Sequence, residues 1–166
     1  MRNRFVIAAA SLLTVGALVG SAVPASAHHR SDHRIAFGVV RMDGAQEVSP
    51  DGQLGAGDAD GKGIFAYLAF DGRLCYFMTA RKIEPAAAAH IHQAPRGANG
   101  GIVIGLTAPT EGFSADCIAA QPDTVENTPD VLTQSELDAI IANPADYYAN
   151  VHNAPFPGGA IRGQLR

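Results

Sequence analysis

The sequence predicts an all-β domain, a sandwich or barrel. Three observations carry this: short aromatic and apolar runs, clusters of Gly, Pro and Asn between them, and a single stretch with helical spacing. The runs at 64–70 and 73–79 are separated by Asp71 and Gly72 alone. Two central residues of this kind favour a type I′ turn, so the pair reads as a β-hairpin. Further strands are predicted at 35–42, 88–93, 102–106, 146–153 and 160–165. The helix is predicted at 133–143, because Thr133-Gln134-Ser135-Glu136 matches a capping box and Leu137, Ile140 and Ile141 follow at helical spacing. Asn143-Pro144 ends it, since the residue before proline is pushed out of the helical region. Segments 43–62 and 112–130 are rich in turn-forming residues and read as long loops.

Ahead of the domain, Arg2 and Arg4 precede an uncharged apolar stretch that runs to Gly20, and Ala25-Ser26-Ala27 follows with the small residues of a cleavage site. This predicts a signal peptide over 1–27, a mature terminus at His28, a polar, flexible leader over 28–34 and the β-domain over 35–166. The stretch is short for a spanning helix, which needs ~20 apolar residues, and no second one follows, so no membrane span is expected after cleavage. The expected location is secreted and extracellular, or the cell envelope. Cleavage removes two of the twelve basic residues and none of the sixteen acidic ones, leaving a net charge of −6. That balance excludes nucleic acid as a partner, because phosphate binding needs a basic surface. Cys75 and Cys117, the only cysteines, are bound for an oxidising compartment, and a structural disulfide is the expected state.

Three blocks carry a family resemblance. Gly44-Ala45-Gln46-Glu47-Val48-Ser49-Pro50 resembles the opening motif of chordin (CHRD) domains, which read Glu-Val-Pro-Pro where this chain has Ser49. The run from Ala89 through His90, Ile91 and His92 to Gly100 resembles their central motif. Tyr148-Ala149-Asn150-Val151-His152, with Phe156 to Leu165, resembles the C-terminal signature, except that Ala160 stands where the family commonly has Glu. The resemblance implies an immunoglobulin-like, Greek-key β-sandwich of the secreted, free-standing bacterial type. It implies no established activity.

In a strand, residues two apart share a face, so His90 and His92 project together while Ala89 and Ile91 point to the core. The same alternation puts Asn150 and His152 opposite Ala149 and Val151, and Arg162 opposite Ile161 and Leu165. These polar side chains are expected on the outer faces of their strands. Three neutral imidazoles with an open fourth position suit copper or zinc. The pattern is also similar to Cu/Zn superoxide dismutases, which place a His-x-His strand and a Val-Val-His strand on copper with an arginine nearby. That similarity implies His90, His92 and His152 as ligands and Arg162 as an anion-steering group. A histidine-rich zinc loop and a bridging fourth histidine are missing, which weighs against dismutase chemistry. The alternative is structural: the same imidazoles hydrogen-bond carbonyls and hold the neighbouring loops. Glu47 and Arg162 read likewise as a structural ion pair. His28, at the expected terminus, together with His29 and His33, would be further copper donors, but the leader reads instead as a disordered tail whose histidines are incidental.

Other motifs carry less. Asp58-Ala59-Asp60-Gly61 opens like a calcium loop, but position twelve is Ala69 rather than a glutamate, so it reads as a surface turn. No serine lies in a nucleophile motif. Tyr67, Tyr76, Tyr147 and Tyr148 read as packing residues. The expectation is a secreted binding module without assigned catalytic residues, holding copper at the three histidines, with an unknown extracellular protein or a metal ion as partner. An extracellular adhesion or matrix module without metal, and a copper-dependent redox enzyme, stay open beside it.

Overall fold

The computed structural model describes residues 35–166. The predicted signal peptide and the leader with His28, His29 and His33 lie outside them. Eight strands form: β1 (Ala36–Asp43), β2 (Lys62–Phe70), β3 (Arg73–Arg81), β4 (Ala86–Gln93), β5 (Gly101–Leu106), β6 (Phe113–Ala119), β7 (Tyr147–Asn153) and β8 (Ile161–Gln164). One α-helix, α1 (Gln134–Ala142), lies between β6 and β7. The hydrogen-bonded order is β5-β4-β7-β8-β1-β2-β3-β6, and every neighbouring pair is antiparallel.

The ladder folds over at the β8–β1 junction, where Asp43 faces Arg162. One layer is then β5-β4-β7-β8 and the other is β1-β2-β3-β6, which gives the predicted β-sandwich. A single hydrophobic cluster fills the space between, drawing Ile91, Ala149, Val151 and Ile161 from the first layer and Phe65, Leu74 and Met78 from the second. Phe65 stacks between Tyr67 and Tyr76, with ring centroids 6.0 and 5.9 Å away. All four tyrosines are buried, as packing residues should be.

Local chemistry accounts for the elements that read most clearly. Asp71 and Gly72 both take positive φ, 44° and 69°, the conformation that a type I′ hairpin turn demands. Thr133 caps α1, accepting from the Glu136 amide while the Glu136 side chain accepts from the Thr133 amide. Leu137 and Ile140 are the helix's buried face. Asn143 ends the helix, and a short 3-10 turn, Pro144–Asp146, leads into β7.

One expectation fails within segment 112–130, where β6 pairs with β3 instead of forming a loop. Its sequence, FSADCIA, buries only Ser114, so the alternation that announces a half-buried strand is missing. Register against β3 supplies what composition does not, and Cys75 faces Cys117 across the pair, joined by a disulfide.

The outer face of β1-β2-β3-β6 is apolar. Successive rows run Phe37, Leu68, Cys75, Cys117 and then Val39, Ala66, Phe77, Ala115, and Phe37 is 75% exposed.

The disulfide closes a loop with a sequence separation of 42. On the chain-entropy account, the double variant Cys75→Ser/Cys117→Ser is expected to lose up to about 4 kcal/mol of unfolding free energy. Urea denaturation measures this, and an unchanged midpoint would contradict the structural role of the bridge.

Candidate metal centre

Strand register builds the centre. Across β4 and β7 the partners are Ala88 with His152, His90 with Asn150, and His92 with Tyr148. Across β7 and β8, Asn150 faces Arg162 and Tyr148 faces Gln164. Because side chains alternate, Ala89, Ile91, Ala149 and Val151 fill the core while these polar residues share the opposite face.

Much of that face is closed to solvent, contrary to the outer-surface expectation, with His90 and His152 half-buried at its edge. Asn150 and Gln164 are buried, and Arg162 is only 1% exposed. Loops cover it. Asn99 donates to the Val48 and Ser49 carbonyls, Arg96 donates to Gln46, and the Asp58 amide donates to the Ala160 carbonyl. The sandwich thus has a second, polar interior on this side.

The three imidazoles converge there. Ligand atoms from His90, His92 and His152 all lie within 4.8 Å of one another, so the group can hold a metal ion. His90 Nδ1 is 3.1 Å from His152 Nε2. His92 Nδ1 lies 3.0 Å from the Gly100 carbonyl, and His152 Nδ1 lies 2.9 Å from the Pro157 carbonyl. A carbonyl only accepts, so both Nδ1 atoms carry hydrogen and both Nε2 atoms keep a lone pair. His90 Nδ1 must then donate to His152 Nε2. The lone pair of His92 Nε2 is buried and has no hydrogen-bond partner.

Gly100 makes the His92 contact possible. A Cβ at this position would overlap the Gln93 carbonyl, so only glycine lets the loop turn back onto β4.

Burial sets the charge state. Desolvation pushes His92 down to about 4, against a smaller opposing effect of its hydrogen bond to Gly100. His90 is lowered by desolvation and then by the nearby His152. His152 is lowered by desolvation, partly offset by its bond to Pro157. All three rings are therefore neutral at pH 7, the state in which imidazole binds metal.

Arg162 and Glu47 do not take each other as hydrogen-bond partners. The Arg162 guanidinium donates to Asn99 Oδ1 at 3.1 Å and to the Ala98 carbonyl, and its Cζ sits 3.3 Å from the Tyr148 ring centroid. Tyr148 in turn stacks on His92, with centroids 4.9 Å apart and planes 4° from parallel. The Glu47 carboxylate instead accepts twice from Asn150 Nδ2, at 2.9 and 3.1 Å. Burial raises Glu47 to about 7, with the charge of Arg162 opposing the rise.

The family model for the CHRD domain matches residues 39–165. The chain belongs to the CHRD-domain family. No curated protein matches it, and no solved structure does. The matched span of this CHRD domain contains the three histidines, Arg162 and both cysteines. The His-x-His spacing was a sufficient signal for the cluster. The partners Gly100, Pro157 and Tyr148, and the Glu47–Asn150 pair, had no such signal, because they meet only through loop closure.

Acid should destabilise the metal-free domain through the histidines. Their folded pKa values lie below the unfolded value of 6.5, so the unfolded state binds more protons and stability falls from pH 6.5 toward 4. For His92 the loss is about 3 kcal/mol at most. Glu47 has the opposite sign: its raised value makes the folded state bind the extra proton, so its contribution is lost as pH rises from 4.5 to 7. Glu47→Gln removes that compensation, and its stability is expected to fall more steeply with acid than that of the parent. Equal slopes in urea titrations at pH 6.5 and 4.5 would overturn this assignment of charge states.

Proposed function

We propose that this CHRD domain is an exported binding module that holds copper through His90, His92 and His152. The observation that carries the reading is the convergence of three neutral imidazoles whose other nitrogens, on His92 and His152, are already fixed to backbone carbonyls. A ligand histidine is ordinarily oriented by such a bond from its second ring nitrogen. The 3.1 Å separation of His90 Nδ1 and His152 Nε2 is near the about 3.3 Å edge of a tetrahedral site with imidazole ligands. An all-imidazole donor set without thiolate or carboxylate binds Cu(II) more tightly than other divalent first-row ions. Copper would supply a Lewis-acidic, redox-capable centre. The chain supplies two ligands held by backbone carbonyls, a largely desolvated surrounding and, on His92 and His152, Nε2 lone pairs turned into the cluster.

Export is supported by the charged start and small-residue site at residues 2–27, and by the disulfide, which persists in oxidising compartments. No helix among the described residues is long and apolar enough to cross a membrane. The metal-free reading, an extracellular adhesion or matrix module, is favoured by the apolar outer face around Phe37, Val39 and Phe77. A redox enzyme is less well supported, because Arg162 is 1% exposed, bonded to Asn99 and Ala98 and packed on Tyr148, and so offers no exposed cation to steer an anionic oxygen species.

Metal analysis of untagged protein decides between these readings. After exposure to Cu(II) and gel filtration, a variant with His28, His29 and His33 replaced by alanine should retain one copper per chain. Adding His90→Ala or His152→Ala should abolish retention without unfolding the domain. Adding His92→Ala should abolish it too, at a cost in stability from the lost stack on Tyr148. Unchanged retention in the His90→Ala and His152→Ala backgrounds would eliminate the metal reading. For export, intact mass of the protein recovered outside the cells should correspond to a chain beginning at His28, and a mass that includes Met1 would refute cleavage there.

A further inference from the structure

The charge distribution over the described residues is uneven in a way that the histidine centre does not explain. Acidic residues outnumber basic ones, yet four of the eight lysines and arginines at 35–166 gather around one cleft. Arg41, Arg96 and Arg166 line a cavity of ≈ 500 Å³ together with Val40, Gln46 and Gln164. A smaller recess of ≈ 150 Å³ shares Gln46, Arg96 and Gln164 and reaches the Arg162 side chain. No Asp or Glu lines either one.

This arrangement is unfavourable unless something offsets it. Burial foremost, and the neighbouring charge of Arg96, lower Arg162 from its ordinary value, against the opposing effect of Tyr148 and Glu47. The guanidiniums of Arg96 and Arg166 are also held where they are. Arg96 donates to Gln46 Oε1 at 3.0 Å, Gln46 donates to the Arg41 carbonyl at 3.0 Å, and Arg166 donates to the Val39 carbonyl at 2.8 Å. The Arg96 and Arg166 bonds each use one donor of a guanidinium that has five, leaving further donors on both to bind elsewhere. Holding several cations around a concave surface with no Asp or Glu side chain in its lining is the pattern of an oxyanion site, because guanidinium forks pair bidentately with carboxylate, phosphate or sulfate. The larger cavity falls within the size range of small-molecule sites and well exceeds a single inorganic ion.

We infer that the cleft bounded by Arg41, Arg96 and Arg166 binds a small, multiply charged organic or phosphoryl anion. Two or three oxyanion groups, each meeting one guanidinium, satisfy the cleft, and Val40 provides an apolar wall for the body that links them. The site is separate from the histidine cluster and needs no metal.

Calorimetry on metal-free protein tests it, with pyrophosphate and the tricarboxylate tricarballylate as probes. Saturable one-to-one binding of either probe is expected, weakening with added salt as screened charge pairs do. Preference for one probe tells phosphoryl from carboxylate ligands. Arg96→Gln and Arg41→Gln should each weaken binding about tenfold, the loss of a charge-assisted pair. Both side chains are exposed, so the fold should survive, and thermal melting checks this. Arg73→Gln, which removes an exposed arginine outside the cleft, should leave affinity unchanged. Failure of both probes to bind at millimolar concentration would overturn the inference. So would equal weakening by Arg73→Gln, which would reduce the effect to net charge, or tighter binding of a long sulfated polysaccharide that is insensitive to Arg96→Gln.

Discussion

The antiparallel register of β4 on β7 and of β7 on β8 is the constraint from which the rest of the structure follows. It puts Ala89, Ile91, Ala149 and Val151 into the hydrocarbon core and, by the same alternation, commits His90, His92, Asn150, His152 and Arg162 to the other face. A one-residue slip would exchange the two sets, burying cations and imidazoles against Phe65 and Leu74. Because one face of these strands is apolar along most of its length, the register is strongly specified. The strand positions of the polar constellation are therefore fixed by the same register as the core behind it.

A polar face on a central strand must still find partners once it is covered, since a buried unpaired donor costs about 1–3 kcal/mol. The covering loops and the neighbouring strand supply most of them, Asn150 Oδ1 remaining without one. Asn150 takes Glu47, Arg162 takes Asn99 and Ala98, and Gln164 donates to the Ala94, Ala145 and Tyr147 carbonyls. The loop-holding role of the histidines and their role as metal ligands are consequently not exclusive. The Gly100 and Pro157 carbonyls take Nδ1 of His92 and His152 and fix their tautomers, so that each Nε2 keeps a lone pair, unpartnered on His92 and accepting from His90 on His152. Structural bonding and ligand preparation are here the same two hydrogen bonds.

How far the sequence conveyed this depends on whether the information was local. The Asp71-Gly72 turn and the Thr133 capping box are contained in four residues or fewer, and both formed as read. The His-x-His pair was legible because strand alternation needs only neighbours. β6 was not legible: as an edge strand that buries Ser114 and exposes Phe113, it lacks the periodic pattern, and only pairing with β3 defines it. Burial of Arg162 was hidden for a related reason. An arginine two residues from a glycine-rich turn reads as surface, and it becomes interior only when segments some sixty residues distant, at Ala98 and Asn99, fold over it.

The three rings are not held equally, and this bears on how the cluster would close on an ion. His92 is fixed twice, by Gly100 at Nδ1 and by the face of Tyr148, which is itself clamped by Arg162. His152 is fixed once, by Pro157. His90 has only its bond to His152, and that bond uses a nitrogen that a metal would claim. Contracting a 4.8 Å group to a common centre takes a shift of order 1 Å. The least restrained ring, His90, makes that shift at the lowest cost, giving up one hydrogen bond and changing tautomer. Two preset ligands and one adjustable ligand leave little conformational entropy to be lost on binding, because most of the ordering was accomplished when the loops closed.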